Sequence, residues 1–183
     1  LETFYIHAQA SSSAGVSSEK SRILVSFPMA QIRIDRTASV IPESGSVSWY
    51  LRLYNAEHAF TLPKNFTLTI EPVSKAWEEG TGLDMESYKD ETYQGTGSNW
   101  TYASAGTAWS TAGGDFSATP VFAASFVKGT EDLTIDISDI AEKWIIGSQQ
   151  NFGLGIFLTS SQETGSVSSY TKKFFARSSE FFF

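Results

Sequence analysis

Between Leu133 and Leu158 the hydrophobic period changes twice, and few folds accept that pattern. Leu133, Ile135 and Ile137 alternate with Thr134 and Asp136, the period of two expected of a half-buried strand. From Ile137 the period lengthens. Ile137, Ile140, Ala141 and Trp144 fall at i, i+3, i+4 and i+7, one face of about two helical turns. Asp136 or Ser138 is placed to accept an orphan amide at the helix start, and Asp139 lies near the positive end. Gly147 is free to take the left-handed conformation that stops the helix. So short a helix persists only if its stripe is packed, and Trp144 is the expected anchor. Leu154, Ile156 and Leu158 then restore alternation, with Gly153 and Gly155 suited to a bulge or a close backbone approach. The spacing predicts strand, a helix over about 138–146, and strand again.

Elsewhere alternation dominates. Phe4, Ile6 and Ala8 form one stripe; Ile23, Val25 and Phe27 form a second, ended by Pro28. Val47, Trp49, Leu51 and Leu53 make a third, and Phe66, Leu68 and Ile70 a fourth. Strands are also expected over 121–127 and 170–177 and at Phe181–Phe183. Residues 10–20 have loop composition. Over 29–46 Ile32 and Ile34 fit either a short turn of helix or an edge strand. About nine strands at short spacing with one short helix predict an all-β, antiparallel, jelly-roll-like sandwich, a single domain over 1–183. The apolar triplet Phe181–Phe183 is an odd free end. It reads as the edge of a piece of a longer chain, and as an unpaired strand to which more chain or another subunit can add.

The span 75–120 breaks the pattern. It scatters Trp77, Trp100 and Trp109 among Gly, Ser, Thr and acidic residues without a period, which is unusual inside a compact domain. Either it is a functional surface or its tryptophans fold it back onto a sheet. Trp100, Tyr102 and Trp109, with Tyr88 and Tyr93 behind them, are the residues a glycan-stacking face would use. The competing role for Trp77, Trp100 and Trp109 is to close the core beneath the loop. Asp84, Asp90 and Asp115, with Glu86 and Glu91, could supply oxygen ligands to a structural Ca²⁺, although their spacing is not that of an EF-hand.

Other chemistry finds little footing. The 183 residues contain no cysteine, so disulfides, thiolate metal sites and a Cys nucleophile are excluded. A net charge of −7 argues against a general nucleic-acid partner, and Lys172-Lys173 is too small a basic pair to reverse that. No apolar run reaches the ~18–20 residues of a membrane span. His7 and His58 are the two imidazoles; one alternates outward on a strand and the other sits in a polar turn. No Gly-x-Ser-x-Gly elbow, His-x-x-x-His pair or phosphate loop accompanies them. Glu78 and Glu79 are adjacent, so on an extended chain they point opposite ways. No catalytic residue and no cofactor beyond a structural ion is expected.

Six segments, in order, resemble the DNRLRE domain, a β-sandwich family related to carbohydrate-binding modules. They are Ser21-Arg-Ile-Leu-Val-Ser-Phe-Pro28; Ser48-Trp-Tyr-Leu-Arg-Leu53; Val73-Ser-Lys-Ala-Trp-Glu-Glu-Gly-Thr-Gly82, the most specific; Asn99-Trp-Thr-Tyr102 with Trp109-Ser-Thr-Ala-Gly-Gly-Asp-Phe116; Ile135–Gly147 with Asn151-Phe-Gly-Leu154; and Phe175-Ala-Arg-Ser-Ser-Glu180. Pro28 stands where the family usually has Asp. That departure resembles a divergent set found among structural proteins of tailed-phage virions. The resemblance implies a non-enzymatic role in assembly, adhesion or attachment on the virion, in several copies, beside other virion proteins and a host-surface glycan. For the family at large it implies a carbohydrate-binding module of a secreted or wall-attached bacterial protein.

Overall fold

Alternating strands assemble into two antiparallel sheets in a computed structural model that describes residues 3–9, 19–57, 64–80, 97–164 and 169–176. In chain order the elements are β1 (Thr3–Gln9), β2 (Glu19–Ser21), β3 (Ile23–Val25), α1 (Ala30–Thr37), β4 (Tyr50–Leu53), β5 (Phe66–Pro72), β6 (Tyr102–Ser104) and β7 (Thr107–Ala108). There follow β8 (Phe122–Phe126), β9 (Leu133–Asp136), α2 (Ser138–Ile146), β10 (Leu154–Leu158), α3 (Ser160–Thr164) and β11 (Ser169–Phe175). The first sheet has the order β3-β10-β5-β8. The second is built from β2-β1-β11 and β4-β9. An Asn55↔Phe174 bridge joins its two parts, with Phe175 N donating to Tyr54 O and Ala56 N to Lys173 O, each at 3.0 Å. Each sheet therefore interleaves strands from both halves of the chain, the strand order of a jelly roll.

The main core lies between the sheets. Leu68, Ile70, Leu154 and Ile156 of the first sheet face Ile6, Leu51, Leu133 and Phe174 of the second, all nearly or fully buried. Phe66 stacks on Phe126 with ring centroids 4.8 Å apart. At one end α2 closes the sandwich as the periodicity predicts. Ile140, Ala141 and Trp144 are fully buried, and Gly147 takes φ 75° as the C-cap. Of the two expected acceptors only Asp136 takes a helix amide, its Oδ1 accepting from Ser138 N at 2.8 Å; Ser138 Oγ accepts instead from Trp49 N, outside the helix, at 2.8 Å.

The all-β sandwich with a helix at 138–146 is thus present. Among the described residues there are eleven strands rather than about nine, and two helices join the single one expected. The ambiguity over Ile32 and Ile34 resolves as α1. Its sequence gives no apolar stripe, no α1 side chain is fully buried, and Ile34 is largely exposed. Ile32 and the preceding Met29 pack against the main core, and polar bonds to α2 add to that hold. Arg33 donates through Nε and Nη2 to Trp144 O (3.1 and 2.7 Å), and Arg36 forms a two-pronged pair with Glu142 (3.0 and 2.8 Å). Glu142 also accepts from Trp49 Nε1 at 2.8 Å. The Arg36 guanidinium, first among these groups, holds the Glu142 carboxyl below the usual range.

Part of the 75–120 span forms a third layer on the outer face of the first sheet; 81–96 lie outside the described residues. Phe116 bridges Val73, Ser74 N donates to Asp115 O, and Ser117 N to Pro72 O. The β6–β7 hairpin contributes Ala103, which with Val73 and Trp109 makes a second small core joined by Leu24, Trp77, Phe116 and Phe152. Trp144→Ala is expected to lower the unfolding free energy by about 3–5 kcal/mol, the range for emptying a large aromatic from a core. Ile34→Ala on α1 should change it by less than about 0.5 kcal/mol, as for other exposed positions; urea melts of the two variants check both.

Candidate functional site

Where the third layer meets the first sheet, an arginine is enclosed by aromatic rings. Arg22, between β2 and β3, has its guanidinium carbon 4.7 Å from the Phe157 ring centroid, 5.1 Å from Trp100 and 5.7 Å from Phe116. Its Nε and Nη2 donate to the two carboxylate oxygens of Glu163 at 3.0 and 2.6 Å, and Nη1 donates to Gly113 O at 3.0 Å. The fork geometry suits a carboxylate and the flat cation suits ring faces, so lysine would serve neither contact equally. Short α3 exists at the position that presents Glu163. Gly155 of β10 supplies the remaining condition: any Cβ there would strike the Phe116 ring, so its absence lets the ring lie against the strand.

Beside this nest opens a depression of about 650 Å³, lined by Arg22, Glu71, Ser74, Lys75, Ser110, Thr111, Gly114, Asp115, Phe116 and Phe157. Its two carboxylates are in opposite circumstances. Burial alone would push Asp115 up, but the amides of Ser110 and Thr111, donating at 2.9 and 2.8 Å, outweigh it and hold the carboxyl below its usual range. Lys75 Nζ, 3.8 Å away, adds to that. Asp115 is therefore the clamp of the 110–115 turn. Glu71 points from the outer face of β5, opposite Gly155. Burial pushes its carboxyl up, against the attraction of Arg22, and among the described residues no donor reaches its side chain. A half-buried carboxylate without a donor costs stability. A carboxyl raised by burial beside a depression is a candidate site residue.

The residues singled out from sequence are distributed as follows. Trp109 is 6% exposed and donates Nε1 to Asn99 O at 2.8 Å, so its ring belongs to the second core. Trp100 is half-buried with Arg22 over its ring, and Tyr102 is half-buried on β6. They do not combine into an open stacking face. Trp77, expected as an anchor, donates Nε1 to Phe152 O at 2.7 Å and packs against the second core, while Trp144 is fully buried in the first. Asp115 has both oxygens engaged by amides, a poor arrangement for a metal ligand, and Asp84 and Asp90 lie outside the described residues with Glu86, Glu91, Tyr88 and Tyr93. Among the described residues no group of three or more acidic or imidazole side chains is placed to hold a metal. His7 lies on β1, and His58 and Phe181–Phe183 lie outside the described residues. Glu78 and Glu79 are exposed. Neither Arg22 nor Glu71 stands out in the sequence. The signal for Glu71 is an acid in the outward series Thr67, Thr69, Glu71, and its setting depends on the register with β10. No family model, curated protein or solved structure matches the chain.

The two carboxylates give opposite pH signatures. Raised above its unfolded value of 4.5, Glu71 binds its proton more tightly folded than unfolded, so its contribution to stability falls as pH rises through that window. Asp115, depressed below 3.8, contributes stability above its unfolded value that is lost as pH falls through its folded one. Glu71→Gln should therefore raise the melting temperature at neutral pH and Asp115→Asn lower it. Melting curves between about pH 3 and 7 would show the Asp115→Asn deficit shrinking at the acid end.

Proposed function

We propose that the chain is a non-enzymatic structural component of a tailed-phage virion, at the neck, tail or capsid surface, where it mediates assembly or attachment in several copies. The observation that carries this reading is the inward disposition of the tryptophans. Trp77 and Trp109 turn their indole N–H groups onto backbone carbonyls, and Trp144 is fully buried in the main core. The aromatic content thus stiffens a block and ties its loops down, as a particle component requires. The DNRLRE-like segments and their order support the same reading. They build β3, β4, the third layer, α2 and the start of β10 within a jelly-roll strand order.

Glu71 favours a second reading, a carbohydrate-binding module of a secreted or cell-wall-attached bacterial protein. A partly desolvated carboxylate beside Ser74, Lys75, Phe116 and Phe157 suits a hydroxyl-rich ligand, whose O–H groups can donate to it. Two experiments separate the readings. Antibody against the chain, imaged on purified tailed particles, is expected to mark one defined location; particles lacking the chain would overturn the virion reading. A glycan array probed with the protein and with Glu71→Gln, whose melting temperature is monitored in parallel, tests the second. Binding that disappears in Glu71→Gln while the fold persists would establish it.

A further inference from the structure

Lys172 stands where the alternation of β11 calls for an apolar side chain. It is 1% exposed, the one fully buried lysine among the described residues, and its neighbour in the same stripe is Phe174. Its ammonium donates to Asn55 Oδ1 at 2.6 Å, Glu131 O at 2.7 Å and Gly129 O at 2.9 Å. The rings of Phe126 and Phe174 lie 5.0 Å away on centroid, closing the site to water. For stability alone this is a costly choice, because an apolar residue of similar volume would avoid desolvating a charge. The arrangement does something an apolar residue cannot: it holds a primary amine against a carboxamide. A C=O bond is about 1.2 Å long, so Nζ lies no more than about 3.8 Å from Asn55 Cγ, near the range of a near-attack pair. Asn55 is itself fixed, since its backbone N–H donates to Asp132 Oδ1 at 2.7 Å and the residue bridges Phe174.

The protonation state also fits. Burial pulls the Lys172 ammonium down to about 8, against the carboxylates of Glu131 and Asp132, which favour the charged form. A free amine is therefore far more populated near neutral pH than on a solvated lysine. On the loop that supplies the two carbonyls, Glu131 Oε2 is buried and accepts no hydrogen bond. The amides of Lys128 and Val127 hold the Glu131 carboxyl down to about 2, so it stands ionised beside the lysine site.

We propose that Lys172 and Asn55 are the two halves of an intramolecular isopeptide cross-link. The neutral Nζ adds its lone pair to Asn55 Cγ. In the tetrahedral adduct a proton passes from Nζ to Nδ2, bonded to the same carbon. The Cγ–Nδ2 bond then breaks and ammonia leaves with the bonding pair, while the new Cγ–Nζ amide remains. One bond forms and one breaks, with no oxidant, metal or further reactant. The Phe126 and Phe174 rings exclude the water that would otherwise compete for Cγ. The product ties β11 to the end of β4, joining positions 117 apart. It gives a cysteine-free chain a covalent staple.

The test is the mass of the wild-type protein, so it does not depend on a variant folding. Purified under native conditions and then denatured, the chain is expected to weigh one ammonia less than its sequence. Fragmentation should yield a branched peptide joining Lys172 to Asn55. Lys172→Met and Asn55→Ala should each restore the sequence mass, with a lowered melting temperature. Two outcomes overturn the proposal. One is a wild-type mass equal to the sequence even after incubation near pH 9, where the Lys172 amine predominates. The other is an ammonia deficit that maps to a cyclised Asn55 while Lys172 still reacts with an amine label after denaturation.

Discussion

The arrangement hinges on β10, whose backbone must be approached from both sides. Toward the second sheet it offers Leu154, Ile156 and Leu158 to the core. Away from it, two missing side chains let other segments in. Gly153 takes φ +84° and leaves no room for a Cβ beside Val25 O, which lets β3 draw close. Gly155 leaves room for Phe116, and on that ring the third layer, the Arg22 nest and the depression beside Glu71 all rest. A methyl group at Gly155 would thus be felt by Arg22 and Glu163 as much as by its own strand. The glycines give up strand propensity in exchange for three layers.

The parts of this architecture that were legible in the sequence are those where packing sets a period. α2, with Asp136 at one end and Gly147 at the other, follows from four apolar positions, an acid and a glycine. The inner faces of β3, β4, β5, β9 and β10 follow from alternation. α1 was not legible because charge pairs help hold it, and an arginine bound to a carbonyl on another helix leaves no periodic trace. Glu71 and Lys172 were hidden for a related reason. Each sits on a strand whose alternation is plain, yet its meaning depends on what lies across the register. Glu71 lies opposite a glycine, and Lys172 lies beside the asparagine that follows β4. The tryptophans could be assigned to a surface or a core, and only the fold of the span around them separates those roles.

Set against the otherwise apolar interior, the buried charges divide into two kinds. Arg22 with Glu163, and Arg36 with Glu142, are matched forks whose carboxylates receive the donors they need. They fix where α3 and α1 sit. Glu71 and Lys172 are placed at some expense to stability, one without a donor and the other stripped of water beside a carboxamide. Residues that break the local rule without a packing benefit are where function is concentrated. Each sits on an inner strand of its own sheet, Glu71 on β5 and Lys172 on β11, rather than on a loop, so whatever they do is held on rigid backbone.

The interleaved strand order also bears on how the domain comes into being. β1 pairs with β2 nearby in sequence, but its longer ladder forms only with β11, more than 150 residues on. Contacts so distant along the sequence slow closure and lengthen the interval in which apolar edges are open to other molecules. A ribosome must therefore release nearly the whole domain before either sheet is complete. In a crowded cell the finished block is preceded by a vulnerable interval that chaperones are suited to guard.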